Sequence, residues 1–305
     1  MYIVKRLLMA IVTIAAVITI TFFVMQALPG SPFLTEKGIT EERLAALNKR
    51  YGLDKPLVVQ WLKYLVNAFR FNYGISLKDS GTPVMDLIWA GFKVSAKNGL
   101  MAAVIAIIFG IFFGVLAAVY RGRWQDRLIM ILSTAMVAVP SFVIAAFLFY
   151  WFCVKAGWFP TDFGLSSSTS KYVLPVITLS LYPMAYIVRL TRTSTLDALE
   201  ADYIRTARAK GVSPAKVLFK HALRNSLTPV ITYAGPMIAY ILTGSLVVEK
   251  IFSIPGLGNT LVNAINNLNY PVVMGVTVFC SILVVLFILV SDILYKVVNP
   301  RVDLE

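Results

Sequence analysis

Charged side chains are scarce in this chain. They make up 14% of its 305 residues, whereas a typical soluble domain carries about 25%. Hydrophobic residues make up 58% of the chain. A protein of this composition has too little polar surface to face water on all sides, so we expect lipid to be its solvent. The composition therefore excludes an ordinary soluble globular fold.

Ionisable residues are missing from the middle of the long apolar runs, and the chain has a single histidine, His221. Ion-driven transporters and intramembrane enzymes usually hold such groups at depth, because proton relays and catalysis require them. The chain also lacks G-x-x-x-x-G-K-[ST], the phosphate loop that binds ATP. We therefore predict no catalytic residue, metal or cofactor in this chain, and any energy must come from a partner. A membrane enzyme or a scaffold is the alternative class.

Cysteine is also scarce, since the chain has only Cys153 and Cys280. Both lie inside apolar segments, and neither belongs to a C-x-x-C or a metal-like cluster. We interpret them as two small buried hydrophobic residues rather than as a disulfide.

Long apolar runs are what the chain has in abundance. A helix needs roughly 20 apolar residues to cross the hydrocarbon core. Because Pro175 and Pro183 lie in the fourth and shortest run, we expect that helix to be kinked or tilted. The sequence predicts an all-α membrane protein with six spans: Leu7–Leu28, Asn98–Tyr120, Leu128–Val154, Tyr172–Val188, Asn225–Val248 and Val272–Ser291.

The net charge of +13 is distributed between the apolar runs rather than along one stripe, so we do not expect nucleic-acid binding. Fifteen Lys and Arg residues fall in the short connections and termini on one side, against three on the other. Ten more lie in the connection after the first run, which is long enough to translocate regardless of charge. By the positive-inside rule, both termini are predicted to be cytoplasmic.

The segment between the fourth and fifth runs predicts a helix, a tight turn and a second helix. Leu196–Lys210 has a helical pattern, and Gly211 suits the left-handed position just after a helix end. Ser213 is a good N-cap and Pro214 a good first helical residue, so a second helix is expected to run to about Asn225. This segment is either a basic loop lying on anionic lipid or a rigid projection that fits a cleft on another protein.

Three motifs in and after this segment resemble the EAA loop of ABC importer permeases, in the version found in oligopeptide and dipeptide systems. They are Asp202-Tyr-Ile-Arg-Thr-Ala-Arg-Ala-Lys-Gly211, His221-Ala-Leu-Arg-Asn225 and Pro229-Val-Ile-Thr232. Three further motifs resemble the B-type permease of that family: Leu28-Pro-Gly-Ser-Pro-Phe33, Tyr51-Gly-Leu-Asp-Lys-Pro56 and Glu249-Lys-Ile-Phe-Ser-Ile-Pro-Gly-Leu-Gly258. Pro-Gly-Ser-Pro-Phe is closer to oligopeptide than to dipeptide members.

The resemblance implies partners: a C-type permease subunit, two ABC ATPase subunits that carry ATP and Mg²⁺, an extracytoplasmic substrate-binding protein and a peptide substrate. It also implies that the helix before Gly211 enters a groove of the ATPase. Nickel, glutathione and other small solutes are alternative substrates within the family. Aligned on Gly211, the residues that name the EAA loop are replaced by Thr206, Ala207 and Arg208. The predicted ATPase-coupling residues are Tyr203, Arg205, Thr206, Ala207, Arg208, Ala209, Gly211, Ser213 and His221.

The predicted outer side has two short helices, Thr40–Arg50 and Pro56–Phe69, and a turn at Ile254–Gly258 followed by a short helix, Asn259–Asn269. The second helix has an apolar face, which is expected to lie on the membrane or on the bundle. The resemblance instead implies that the outer layer meets the binding protein. The residues predicted to face it are Trp61, Pro255, Gly256 and Gly258.

The predicted organisation is a first membrane helix (residues 1–29), an extracytoplasmic loop (30–97), a core membrane domain (98–291) and a cytoplasmic tail (292–305). The coupling loop occupies residues 192–225 of the core. The resemblance to the permeases implies a type I importer bundle in a prokaryotic cytoplasmic membrane.

Overall fold

The structure is a computed structural model that describes residues 2–27, 54–78, 81–164 and 168–298, with side chains described for 5–27 and up to 291. The predicted helix Thr40–Arg50 and the motif Leu28–Phe33 lie outside these residues. Within the described residues, the only β-pairing is an isolated bridge between Ile75 and Pro83. An all-α fold is therefore confirmed for this part of the chain.

The long helices have the following bounds: α1 Tyr2–Ala27, α2 Leu57–Phe69, α3 Val84–Val119, α4 Trp124–Ala138, α5 Ser141–Leu148 with a π-helical continuation Phe149–Lys155, and α6 Val173–Glu200. The remaining helices are α7 Asp202–Ala209, α8 (Pro214–Lys216, the π-helical Val217–Ala222 and Leu223–Ser226), α9 Thr228–Leu242, α10 Leu246–Ile251, α11 Leu257–Asn266 and α12 Tyr270–Val298. By length and apolar composition, five spans of the described chain qualify for a membrane, or six if the bent pair α4–α5 counts as one.

The third predicted span, Leu128–Val154, is wrong as a single straight helix. Helices α4 and α5 meet at an angle of 98°. Val139 between them has an extended backbone (φ −86°, ψ 124°). A residue before proline is pushed out of the helical region, and Pro140 follows here. The bend therefore has a local cause in the sequence.

The second and fourth predicted spans are too short. Helix α3 begins at Val84 rather than Asn98, and α6 continues to Glu200 rather than ending at Val188. Charged residues end an apolar run but not a helix, because Lys and Arg have good helix propensity. Helix α6 is thus a continuous helix that extends beyond its apolar part, and it runs through Pro183 without interruption.

The fifth predicted span, Asn225–Val248, is wrong as a continuous helix because it is interrupted near its end. Helix α9 ends at Leu242, and Gly244 has a positive φ of 84°. Glycine adopts this conformation without steric cost, so the chain turns here before α10 begins.

Helix α3 packs along α6 through small residues. A Cβ added to Gly110 would lie 2.7 Å from Cβ of Ile187, and one added to Gly114 would lie 2.6 Å from Cβ of Thr191. Gly110 and Gly114, four residues apart, therefore allow a close contact between the two helices. Gly110 contacts Ile187 and Gly114 contacts Thr191, so residue numbers increase in the same direction along both helices and α3 and α6 run parallel.

The start of α1 and the later part of α12 lie at the same end of the bundle. Arg6 and Met9 of α1 line one crevice together with Ile288 and Leu289 of α12. The helices α1 and α12 are therefore antiparallel. Cys153 and Cys280 are free thiols, as the sequence predicted.

Candidate functional site

A helical hairpin projects from the end of α6, and we call residues 202–226 the basic hairpin. It begins after Ala201, whose extended backbone (ψ 149°) separates α6 from α7. The predicted helix Leu196–Lys210 is wrong on this point, because two helices meet at Ala201 instead. The break changes the direction of the chain directly after the long helix α6.

Gly211 forms the turn between α7 and α8 in a left-handed conformation (φ 76°), as predicted. The amide of Gly211 donates to the carbonyl of Arg208 at 3.0 Å, and the amide of Val212 donates to the carbonyl of Ala207 at 3.2 Å. This pair of bonds defines a Schellman motif. Ser213 precedes Pro214 at the N-cap position, but its side chain makes no capping hydrogen bond, contrary to expectation.

The basic hairpin packs around a small apolar core that it shares with Ala198 and Leu199 at the end of α6. Ile204 and Ala207 of α7 are buried against Val217 and Ala222 of α8. Val212 of the turn packs on the same cluster. Packed on both sides of a tight turn, the two helices form a rigid unit rather than a flexible loop.

The predicted coupling residues fall into two groups in this unit. Tyr203, Arg205, Thr206, Arg208, Ala209, Gly211 and Ser213 are exposed, whereas Ala207 belongs to the hairpin core and His221 is half-buried. Nothing lies within 4 Å of a Cβ built on Gly211. The hairpin therefore presents a cationic, solvent-exposed face with open space around its turn.

An ion pair that the sequence did not predict joins the last third of α6 to the start of α4. Nε and Nη2 of Arg192 donate to the two carboxylate oxygens of Asp126 at 2.7 and 2.8 Å. The amide of Gly122 donates to the same carboxylate at 2.9 Å. Asp126 is buried, so this bidentate pair joins the turn between α3 and α4 to the last third of α6. Its only signal in the sequence is one acidic residue within a basic connection.

A second group of residues forms a turn at the opposite end, and we call residues 244–259 the carboxylate turn. Glu249 of α10 is 3% exposed, although the sequence placed it in an outer loop. Its Oε1 accepts from Oγ of Ser95 at 2.6 Å, and its Oε2 accepts from the amide of Asn259 at 3.0 Å. Oγ of Ser95 accepts from the amide of Leu257 at 2.8 Å. A carboxylate and a hydroxyl thus satisfy the free amides at the start of α11.

The glycines of the carboxylate turn allow this close packing. A Cβ on Gly256 would overlap Oε2 of Glu249 and lie 2.5 Å from Oγ of Ser95. A Cβ on Gly258 would lie 3.0 Å from the same Oε2, and one on Gly244 would lie 2.6 Å from Oε1. A side chain at any of these three positions would therefore force the carboxylate or its neighbours to shift.

The residues predicted to face a binding protein have different environments. Pro255 is exposed, whereas Gly256 and Gly258 are buried beneath it. The predicted short helix is present as α11, beginning at Leu257. The indole N–H of Trp61 donates to Oγ1 of Thr19 at 3.1 Å, so Trp61 packs on α1. Of this set, Pro255 is exposed and Trp61 is half-buried.

The helices and the two ends define a class: a multi-pass helical membrane protein with a rigid basic projection at one end and a carboxylate-stabilised turn at the other. The chain belongs to the family of binding-protein-dependent transport system inner membrane components, whose profile matches residues 110–304. The profile of the N-terminal part of these membrane components matches residues 1–90.

Curated relatives match over almost the whole chain. The dipeptide transport system permease protein DppB of Bacillus subtilis (strain 168) is 43% identical, over 100% of this chain and 98% of its own length. The oligopeptide transport system permease protein OppB of Haemophilus influenzae is 39% identical over 99% and 98%. OppB of Salmonella typhimurium is 38% identical over the same shares.

Two solved structures share the fold. The MetNI methionine ABC transporter in inward-facing conformations matches with a TM-score of 0.56 and 17% identity, over 70% of this chain and 97% of that chain. An amino acid ABC transporter with histidines matches with a TM-score of 0.54 and 16% identity, over 72% and 95%. At these identities the likeness supports the helical arrangement alone.

Proposed function

We propose that this chain is a membrane-spanning subunit of an ATP-driven peptide importer, and that the basic hairpin transmits the work of a separate ATPase to the spans. The observation that carries the proposal is the hairpin itself. It is rigid, it is exposed, and it continues from the long helix α6 with a break only at Ala201.

The connection between hairpin and spans supports mechanical coupling. A displacement of the basic hairpin acts first on the last third of α6, where Arg192 is bonded to Asp126 at the start of α4. Because the pair is bidentate and Asp126 is buried, α4 and α6 are expected to move together. A displacement caused by the ATPase is thereby transmitted to the bent α4–α5 span and to the α3–α6 contact.

The direction of insertion follows from charge. The basic hairpin, the turn at Arg121–Arg127 and the first residues of α1 lie at one end of the bundle. Arg192 before the hairpin binds Asp126 of that turn. Ser291 of α12 donates to the carbonyl of Thr232 just after the hairpin, and this part of α12 lies beside Arg6. Lys and Arg in short connections favour the cytoplasmic side. We therefore assign this end, with both termini, to the cytoplasm and the carboxylate turn to the outer side, where Pro255 faces a substrate-binding protein.

The substrate class rests on the relatives, which include both dipeptide and oligopeptide permeases. We assign a peptide substrate on that basis. The narrower assignment to oligopeptides, which rests on the motif Pro-Gly-Ser-Pro-Phe, stays a prediction because the described residues do not include this motif. The pseudo-symmetric second half of the pathway is assigned to a C-type permease subunit, with ATP and Mg²⁺ held by two ATPase subunits.

Site-specific cross-linking tests the hairpin assignment. In a background with Cys153→Ala and Cys280→Ala, Ala209→Cys is expected to cross-link to the ATPase subunit of the purified complex. Ala156→Cys is the matched control, since it is an equally small exposed residue at the opposite end. Intact cells are then treated with an impermeant maleimide, which is expected to label Ala156→Cys and to leave Ala209→Cys unlabelled.

Two outcomes would contradict the assignment. Failure of Ala209→Cys to cross-link at any linker length, in a complex that contains the ATPase, would exclude the hairpin as the docking surface. Labelling of Ala209→Cys but not Ala156→Cys from outside intact cells would invert the proposed orientation.

A further inference from the structure

A cavity of about 740 Å³ lies between the bend of the α4–α5 pair and the helices α6 and α9. Its lining comes from three segments: 137–142 at the bend, 178–186 of α6 and 233–245 at and after the end of α9. Asp, Glu, Lys, Arg and His are all absent from the described residues that line it. The cavity is thus uncharged, but it is not uniformly apolar.

Four tyrosines supply most of its polar groups: Tyr182, Tyr186, Tyr233 and Tyr240. Tyr240 is 79% exposed and Tyr182 is 52% exposed. The rings of Tyr186 and Tyr233 lie 4.4 Å apart, so the tyrosines of α6 and α9 meet across the cavity. In the part of the chain that the structure describes, their hydroxyls make no hydrogen bond.

The depth of these tyrosines argues against an ordinary contact with lipid. Tyrosines that face lipid concentrate at the membrane–water interfaces. At a rise of 1.5 Å per residue, Tyr182 and Tyr186 lie about 14–20 Å along α6 from its first residue, Val173. Both residues lie near the middle of the stretch Thr169–Glu200, which qualifies by length and apolar composition as a membrane span. Unpaired hydroxyls at this depth are costly in lipid, and therefore they indicate a water-accessible passage.

The chemistry of the cavity fits the main chain of a peptide. Every peptide unit except proline offers one N–H donor and one carbonyl acceptor, whatever its side chain. A tyrosine hydroxyl both donates and accepts, and its ring provides an apolar surface. An uncharged wall neither attracts nor repels acidic and basic side chains. Such a surface binds the main-chain N–H and carbonyl groups that all peptides share.

We propose that Tyr182, Tyr186, Tyr233 and Tyr240 form this chain's contact surface for the main chain of a peptide in transit. The inference rests on the proposed peptide-import function and adds the residues that touch the substrate. The volume of the cavity lies within the range of about 300–1,000 Å³ found for small-molecule sites, and this size suits a short peptide segment.

The test uses the full complex in proteoliposomes with its binding protein. The double variant Tyr182→Phe/Tyr240→Phe removes two hydroxyls and keeps both rings. Peptide uptake per assembled complex is expected to fall by about fivefold for each hydroxyl removed, since each loses one hydrogen bond. The fold-loss is expected to be equal for acidic, basic and neutral peptides, and smaller for a peptide with N-methylated main-chain amides. Tyr150→Phe, an exposed tyrosine outside the cavity, is the matched control and is expected to keep wild-type uptake.

Cross-linking adds a readout that does not depend on rate. In the cysteine-free background, Tyr240→Cys is expected to capture a thiol-reactive peptide during turnover, and Tyr150→Cys is not. Capture of the second permease subunit alone would show that another chain covers this face and would overturn the inference.

Other outcomes separate the two proposals. Wild-type uptake by the double variant would overturn the tyrosine surface and leave the peptide importer intact. Equal losses in the double variant and in Tyr150→Phe would show a structural effect and would also overturn it. If the wild-type complex imports no peptide, the proposed function fails and the inference fails with it.

Discussion

The basic hairpin and the carboxylate turn are built alike but have opposite surroundings. In each, a short helix ends in a Schellman motif and a second helix starts a few residues later. The left-handed residue is Gly211 in the first (φ 76°) and Ser253 in the second (φ 53°). A Cβ on Gly211 would meet nothing within 4 Å, whereas one on Gly256 would collide with Glu249.

This difference separates a turn whose close contacts lie within the chain from a turn whose tip is open to solvent. The polar groups at the start of α11 are bonded within the chain, to Ser95 and Glu249. The cationic face of the basic hairpin has no comparable buried counterpart among the described residues. Substitutions in the carboxylate turn are therefore expected to affect folding, and substitutions at the tip of the hairpin are expected to affect coupling.

Gly256→Val is expected to have the largest effect on stability. The added side chain must displace Glu249 or the backbone of a buried turn, which costs about 3 kcal/mol. The complex should assemble poorly, as measured by its yield and thermal midpoint in detergent. Gly164→Val is the control, because Gly164 is exposed, has no positive φ, and a Cβ there would approach only Oδ1 of Asp162, at 3.3 Å. A wild-type thermal midpoint for Gly256→Val would contradict the packing described here.

Asp126→Asn is expected to have the next largest effect. It leaves the Arg192 guanidinium without its carboxylate, and because Arg192 is partly exposed we expect a loss of about 2 kcal/mol rather than the full cost of a buried pair. ATP hydrolysis stimulated by the binding protein should also fall. Glu200→Gln, which removes the exposed partner of Arg121, should change stability by less than about 1 kcal/mol. Equal effects of the two variants would remove the special role of the buried pair.

Glu249→Gln tests whether the carboxylate turn needs a charge. The amide keeps one acceptor oxygen, so one of the two donors, the Ser95 hydroxyl or the Asn259 amide, loses its acceptor at a cost of about 1–2 kcal/mol. The thermal midpoint of the purified complex measures this loss. An unchanged midpoint would show that shape alone holds the turn.

Ser253→Gly is expected to give the smallest effect, and in the opposite direction. Relief of the left-handed strain at a residue with a Cβ should exceed the entropy cost of glycine by about 0.5–1 kcal/mol. A small rise in the thermal midpoint, with unchanged uptake, is the expected result. A fall would indicate that the Ser253 side chain has a role that the structure does not show.

The sequence predicted features that depend on local chemistry. The left-handed turn at Gly211 follows from what glycine allows, and the structure confirms it. The helix breaks at Pro140 and Gly244 also have local signals in the sequence. A prediction of spans from apolar runs alone does not use these signals. Continuous apolar composition shows that a segment fits the membrane, but not that it is straight.

Features that depend on distant contacts could not be predicted in this way. Ser95 and Glu249 are 154 positions apart, and Asp126 and Arg192 are 66 apart. Their pairing requires the three-dimensional arrangement of α3 and α10, or of α4 and α6. The tyrosine-lined cavity is equally non-local, because its walls come from three separate segments.

The most direct test of the account compares Gly211→Val with Gly157→Val. Both glycines have positive φ values, 76° and 66°, and neither has an atom within 4 Å of a built Cβ, so the backbone strain is the same. Only Gly211 belongs to the basic hairpin. ATP hydrolysis stimulated by the peptide-loaded binding protein, measured per assembled complex, is predicted to be lost in Gly211→Val and retained in Gly157→Val. Wild-type stimulation in Gly211→Val, or equal losses in both variants, would contradict the account.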